Sequence, residues 1–204
     1  PVTTKLDCVN YFSDFSNKLR GQNDTIEKIL WLYEVLISKG IDTNRDFQLY
    51  IPTYKSDLGI PKMNKIISEL VNPNEIIKVD RWQEYKVWDK VVFNDTEKEL
   101  KLTKGDVWII KEIFPSENRV IVDFFIQGII ELKWSHLDVL DLLYCMTVHK
   151  AQGTEIKYAG ILLASSFGMW LLNNQLLYTA YTRWKEKVFL FWDEMHIREH
   201  LKII

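Results

Sequence analysis

Two polar stretches of this chain gather the residue types that handle phosphate. The first runs Tyr144-Cys-Met-Thr147-Val-His149-Lys150-Ala-Gln152-Gly153-Thr-Glu155, and the second Leu176-Leu-Tyr178-Thr-Ala-Tyr-Thr182-Arg183. Arg183 and Lys150 can neutralise phosphate charge. The backbone N–H of Gly153 can approach an anion closely because no side chain intervenes, and the Glu155 carboxylate can accept hydrogen bonds from a ribose. An apolar strand pattern stops in the first stretch, and another, Val188 to Trp192, follows the second. Open α/β sheets present ligand-binding groups in loops at strand ends, so the pattern predicts a parallel layer with phosphate chemistry at its margin.

The same residues carry a resemblance. Thr-Val-His-Lys-Ala-Gln-Gly-Thr-Glu and Leu-Leu-Tyr-Thr-Ala-Tyr-Thr-Arg resemble motifs V and VI of superfamily 1 helicases, in the RecD-like branch that includes the exodeoxyribonuclease V alpha subunit. A third segment, Gln48-Leu-Tyr-Ile-Pro52-Thr-Tyr54-Lys55 through Gly59 to Leu70-Val-Asn72-Pro73, resembles that branch's motif IV and the helix after it. The resemblance implies a role for each matching residue. Arg183 is expected to reach the γ-phosphate of ATP and stabilise charge that grows in the transition state. Lys55 is placed like a second γ-phosphate contact, as a point charge where the family has arginine. Gly153 and Glu155 belong to the nucleotide side, Glu155 toward the ribose, and Tyr54 suits stacking on adenine as well as plain packing. Thr53, Thr147, His149 and Lys150 are expected on a single DNA strand, as backbone contacts that carry no sequence code.

ATP with Mg2+ is expected between this chain and a first RecA-like domain. The phosphate cradle Gly-x-x-x-x-Gly-Lys-Ser/Thr occurs nowhere in the sequence, which begins at Pro1. The chain is therefore expected to be the second half of a motor, to bind no cofactor by itself and to be inactive alone. By resemblance the whole is an ATP-dependent 5′→3′ DNA helicase of repair or recombination, with recombination or exonuclease subunits as possible companions. The alternatives are the helicase portion of a conjugative relaxase, a phage replication helicase, or a non-catalytic module that binds protein through its β-rich part.

These motifs need elements to hold them. A helix is expected from Asn23 or Asp24, with Glu27 three residues after Asp24, to Gly40; its apolar stripe is Ile26, Ile29, Leu30, Tyr33, Leu36 and Ile37. A strand over Asp46 to Pro52 and a helix opened by Pro61 and stopped at Asn72-Pro73 follow. The second helix has its stripe at Ile60, Met63, Ile66, Ile67, Leu70 and Val71. From about Arg81 to His136 the period changes to short strands, with turns at Pro115–Asn118 and Gln127-Gly128, which reads as an SH3-like β-barrel. Strands near 142–147, 158–164 and 187–192 and helices near 172–182 and 194–202 then resume the α/β pattern. The expected fold is a RecA-like parallel α/β layer interrupted by that barrel: residues 1–80 and 141–204 form the second RecA-like domain, and 81–140 the insertion. Against the family, Trp88-Asp89-Lys90-Val91 stands where Gly-Asp-Lys-Val is customary, Lys104-Gly105-Asp106 replaces Asn-Gly-Asp, and Trp184 follows the arginine in place of a small residue.

Composition narrows the rest. At 204 residues, 47% hydrophobic and 26% charged, the chain can bury a real core, and a net charge of −2 leaves nucleic-acid binding to a local patch rather than a global field. Cys8 and Cys145 are too few and too far apart for a disulfide framework or a metal site, and no metal ligand set is expected. No apolar run approaches the ~18 residues of a membrane span, and no signal peptide is evident, which points to a cytoplasmic protein.

Overall fold

The computed structural model describes residues 9–10, 22–78, 84–98, 100–124, 128–147, 150, 156–163 and 184–192. The strands in chain order are β1 (Val9–Asn10), β2 (Phe47–Tyr50), β3 (Ile77–Lys78), β4 (Glu84–Tyr85), β5 (Lys90–Phe93), β6 (Val107–Phe114), β7 (Arg119–Phe124), β8 (Gly128–Lys133), β9 (Leu140–Leu142), β10 (Cys145–Met146), β11 (Ile156–Leu163) and β12 (Trp184–Trp192). Two helices are described, α1 (Gln22–Ser38) and α2 (Ile60–Val71). The chain divides into two compact units, residues 1–63 with 145–204, and residues 64–144.

The first unit holds a five-stranded sheet in the order β1-β12-β11-β2-β10, with every pairing parallel. All four residues of β2 are buried, as are the last five of β11, which is how parallel strands covered on both faces read. At Gly160 of β11 an added Cβ would lie 2.9 Å from both the Leu49 Cδ1 and the Phe47 ring, so a side chain there has no room. The helix α1 packs by Thr25, Ile29, Leu32, Tyr33 and Leu36, and Tyr33 meets Phe47 edge-on at 5.0 Å. The buried face is thus rotated from the expected stripe: Leu32 joins it, and Ile37 is 47% exposed. Asn23 and Asp24 lie inside the helix rather than capping it, and Asp24 pairs with Lys28 one turn on, at 2.9 Å. The C-terminus closes as expected. Gly40 takes φ +72°, its N–H donates to the Ile37 carbonyl, and the Ile41 N–H reaches back to Leu36.

The second unit is built on an antiparallel sheet in the order β8-β7-β6-β5-β9, beside a short ribbon of β3 and β4. Burial alternates strictly along β7, the pattern of a sheet with one face on a core. Trp108 is fully buried there, stacked on Phe93 at 5.0 Å and edge-on to Phe124 at 6.1 Å. The run near 142–147, expected as one strand of the parallel layer, is shared between sheets: Leu142 ends β9, and Cys145 and Met146 form β10. β9 pairs antiparallel with β5, and only β10 pairs with β2.

One feature of α2 escaped the apolar stripe. Asn64, Ser68 and Asn72, four residues apart and all buried, form a polar line along the helix. Asn64 donates to the Leu142 carbonyl at 2.8 Å. Ser68 and Asn72 donate to the buried Asp89 carboxylate at 3.1 and 2.9 Å, which also accepts from the Tyr144 hydroxyl at 2.9 Å and from the Lys86 N–H at 2.7 Å. Lys86 Nζ meanwhile donates to the Ser68 and Asn72 carbonyls at 3.2 and 2.9 Å, where the helix ends. A cation on the last carbonyls and a carboxylate with four donors leave neither buried charge uncompensated. No helix among the described residues is long and apolar enough to cross a membrane.

Candidate functional site

The strands β2 and β10 lie side by side and run the same way, with Leu49 opposite Cys145 and Tyr50 opposite Met146. The ladder continues one step further, the Ile51 N–H donating to the Met146 carbonyl at 2.9 Å. Both strands therefore end at one edge, and the segments carrying Thr53, Tyr54 and Lys55 and Thr147 and Lys150 leave the sheet from adjacent positions. Burial of Leu49, Tyr50, Ile51, Cys145 and Met146 fixes where they leave. Burial also pushes the Cys145 thiol well above its ordinary pKa, so it is packing and not a nucleophile.

The first of these segments is closed on itself. Thr53 Oγ1 accepts the Lys55 N–H and lies 3.1 Å from the Lys55 carbonyl, to which it donates. The Ile60 N–H returns to the Thr53 carbonyl at 3.1 Å, and Gly59 N–H to Ser56 at 3.0 Å. Gly59 is required: a Cβ there would come within 2.5 Å of the Tyr54 carbonyl. This folding holds Tyr54, 52% exposed, and Lys55 outward. No ion pair joins Lys55 to another described residue, whereas nearby Lys62 is tied to Asp57 at 2.9 Å. The second segment repeats the device. Thr147 Oγ1 accepts the Lys150 N–H at 3.3 Å, and the Thr147 carbonyl accepts it at 3.1 Å. Two threonine-closed turns, each carrying a lysine, thus sit on neighbouring strand ends. The sequence marked both threonines as contacts but not as turn-formers; a Thr two or three residues before a Lys after a strand was the available signal.

The other edge differs. The first residues of β11 and β12, Ile156 and Trp184, are register partners, and Ile161 of β11 lies opposite Tyr50. The start of β12 is thus about five residues, roughly 16 Å, along the strand direction from the end of β2. Here Lys157 is bonded to Asp46 at 3.0 Å, which raises its pKa, and the Tyr158 phenol is raised chiefly by its hydrogen bond with Glu186. Of the residues singled out in the sequence, Thr53, Tyr54, Lys55, Thr147 and Lys150 are brought to one edge. His149, Gly153, Glu155 and Arg183 lie outside the described residues. Lys55 leaves the layer at the end opposite to the start of β12, the strand that Arg183 precedes in sequence. Among the described residues no group of three or more His, Cys, Asp or Glu side chains can hold a metal ion.

Comparison with known proteins follows the same elements. Residues 142–191 match the UvrD-like helicase C-terminal domain. The ATP-dependent RecD2 DNA helicase of Deinococcus radiodurans is 30% identical over 143 residues, covering 70% of this chain and 19% of that protein. The RecBCD enzyme subunit RecD of Haemophilus influenzae is 22% identical over 139 residues, covering 68% and 20%. The chain spans about a fifth of the length of these curated relatives. Among solved structures, one of two coordinating Pif1 helicases at forked double-stranded DNA superposes with a TM-score of 0.50 at 16% identity, over 86% of this chain and 45% of that one. At that identity the likeness speaks for the fold, a mixed α/β arrangement with a helicase-type parallel sheet.

Proposed function

We propose that the chain is a C-terminal segment of a superfamily 1 helicase akin to RecD, and within it the strand-gripping, ATP-completing half of a 5′→3′ DNA helicase motor. The observation that carries this reading is the pair of threonine-closed lysine turns at the shared edge of β2 and β10. A sugar–phosphate backbone is held by cations without base readout, and this edge carries Lys55 and Lys150. Thr53, Thr147, Lys150 and His149 hold the strand in this reading. Lys55, expected from the resemblance on the γ-phosphate, is assigned to the strand as well, because it leaves the sheet at the same edge as Lys150.

The nucleotide side is assigned, on the resemblance, to Gly153, Glu155 and Arg183, which precede β11 and β12 in sequence. ATP with Mg2+, bound by a first RecA-like domain, would supply the hydrolysable phosphate; Glu155 would orient the ribose and the Arg183 guanidinium would meet charge developing on the γ-phosphate. Closure of the two lobes and its release would then alternate the grip on the strand at Thr147 and His149. Residues 81–140 are read as an SH3-like barrel inserted into the RecA-like domain of residues 1–80 and 141–204.

Two measurements test the halves of this proposal separately. In the full protein, Arg183→Ala is expected to lower ATP turnover by about 10³-fold or more while ATP binding persists; normal turnover removes the nucleotide assignment. For the grip, Lys55→Ala and Lys150→Ala are each expected to reduce the slope of log affinity against log salt for single-stranded DNA by about 0.7. An unchanged slope in both variants removes the edge from the DNA path.

A further inference from the structure

We infer that Trp88 is a stacking platform for an unpaired base of a single nucleic-acid strand. The inference rests on the proposed helicase reading for its partner, but on a different unit of the molecule for its evidence. Trp88 adopts φ +74°, in the left-handed region where a side chain is disfavoured and glycine or asparagine is the ordinary choice. The surrounding turn leaves it no alternative. Asp89 N–H donates to the Lys86 carbonyl, the Asp89 carboxylate accepts the Lys86 N–H, and the Trp88 N–H is held by Ile110 at 2.6 Å. The Asp89 carboxylate is itself gripped by Ser68, Asn72 and Tyr144, so the backbone at 88 is fixed by its neighbours whatever residue stands there.

Strain of this kind persists where the side chain does something, and here the packing return is small. Trp88 is 49% exposed, unlike the core tryptophan Trp108. Its visible partner is the Lys111 ammonium, 4.0 Å from the ring centroid, and Lys111 is shared with Asp123 at 3.3 Å. One cation–π contact at an exposed site does not exceed the cost of a left-handed tryptophan. A half-exposed indole with a cation against it is the pairing that single-strand binders use: the ring takes a base of any sequence, and the cation serves the backbone beside it.

The occupant can be chosen between base and peptide. Grooves for proline-rich peptides are lined by several aromatics. Among the described residues of this unit the other exposed large hydrophobics are Ile76 and Ile129, both aliphatic, while the aromatic Phe114 and Trp134 are half-buried, so Trp88 is the exposed flat ring there. That suits one base, not a peptide groove.

The experiment compares two probes by fluorescence anisotropy, a labelled oligothymidylate of roughly 16 nucleotides and an abasic strand of equal length. Trp88→Gly is expected to weaken thymidylate binding about tenfold, to leave abasic binding unchanged, and to leave the melting temperature unchanged or raised because the strained residue is gone. Trp88→Phe is expected to retain most of the affinity. Trp88→Asn, also tolerant of this backbone, repeats the measurement should the glycine variant fold poorly. Equal loss on both probes, no loss on either, or preferential loss of a proline-rich peptide overturns the inference. Wild-type protein that binds through Lys55 and Lys150 but ignores residue 88 sinks this inference alone. Wild-type protein that binds neither strand sinks the helicase reading with it.

Discussion

The two sheets answer different demands. In the parallel sheet the central strands are buried on both faces, and the described candidate ligand residues Thr53, Tyr54, Lys55, Thr147 and Lys150 lie beyond strand termini. In the antiparallel sheet the strands alternate, one face closes on Trp108 and Phe93, and polar chemistry enters the interior itself through Asp89, Lys86, Ser68 and Asn72. The first is a rigid frame with chemistry at its margins. The second is a frame in which the turn before β5 is locked by buried charge, and the exposed, left-handed Trp88 stands on that turn. The antiparallel core is built from residues of its own unit, which predicts that it can be damaged with the parallel sheet spared.

A pair of core substitutions puts that separation at risk. Trp108→Ala removes the largest fully buried side chain of the antiparallel core and is expected to cost about 3–5 kcal/mol. Gly160→Ala drives a Cβ against Leu49 and Phe47 in the parallel core, where neither neighbour has free space, and is expected to cost roughly 1–3 kcal/mol. Amide hydrogen exchange distinguishes the two. The tryptophan variant is expected to lose protection across β5, β6 and β7 with β11 spared, and the glycine variant the reverse. Equal loss in both sheets from either change would make the molecule one cooperative unit and end the comparison.

How much of this was legible beforehand follows the same division. The parallel layer announced itself, because Ile161 to Leu163 is an unbroken apolar run and Phe47 to Ile51 is apolar but for Gln48. The helix ending at Gly40 was equally plain, since only its backbone is at issue. Pattern failed where one stretch serves two masters. The run near 142–147 reads as a single strand, yet Leu142 pairs in one sheet and Cys145 and Met146 in the other, because apolarity does not say which neighbour a strand will choose. It failed too on Asn64, Ser68 and Asn72, which look like the wet side of an amphipathic helix until Asp89 and Leu142 are seen against them. Long-range pairing decides such positions, and single-sequence periodicity carries no record of it. Within the candidate site, Thr53 and Thr147 were found by residue type, but their work in closing the lysine turns depends on backbone geometry.

The gentlest probe of the comparison is alkali. In the antiparallel unit the phenols of Tyr85 and Tyr144 are buried, donate to the Leu140 carbonyl and to Asp89, and have pKa values pushed up by burial first and by neighbouring carboxylates second. In the parallel unit the Cys145 thiol is raised by burial alone. A group whose pKa is higher folded than unfolded keeps its proton in the native state while the unfolded chain releases it. Stability is therefore intact below the unfolded value and falls as pH climbs above it, by about 1.4 kcal/mol per pH unit for each such group. The onset should come near pH 8.5 for the thiol and near pH 10 for the phenols. Urea midpoints followed from about pH 8 to 11 in Cys145→Ala, Tyr85→Phe and Tyr144→Phe variants separate the two: the cysteine variant is expected to lose the early decline and the tyrosine variants to shallow the later one. A profile that stays flat through this range, or one that none of the three substitutions alters, contradicts the assignment of these protons to the two cores.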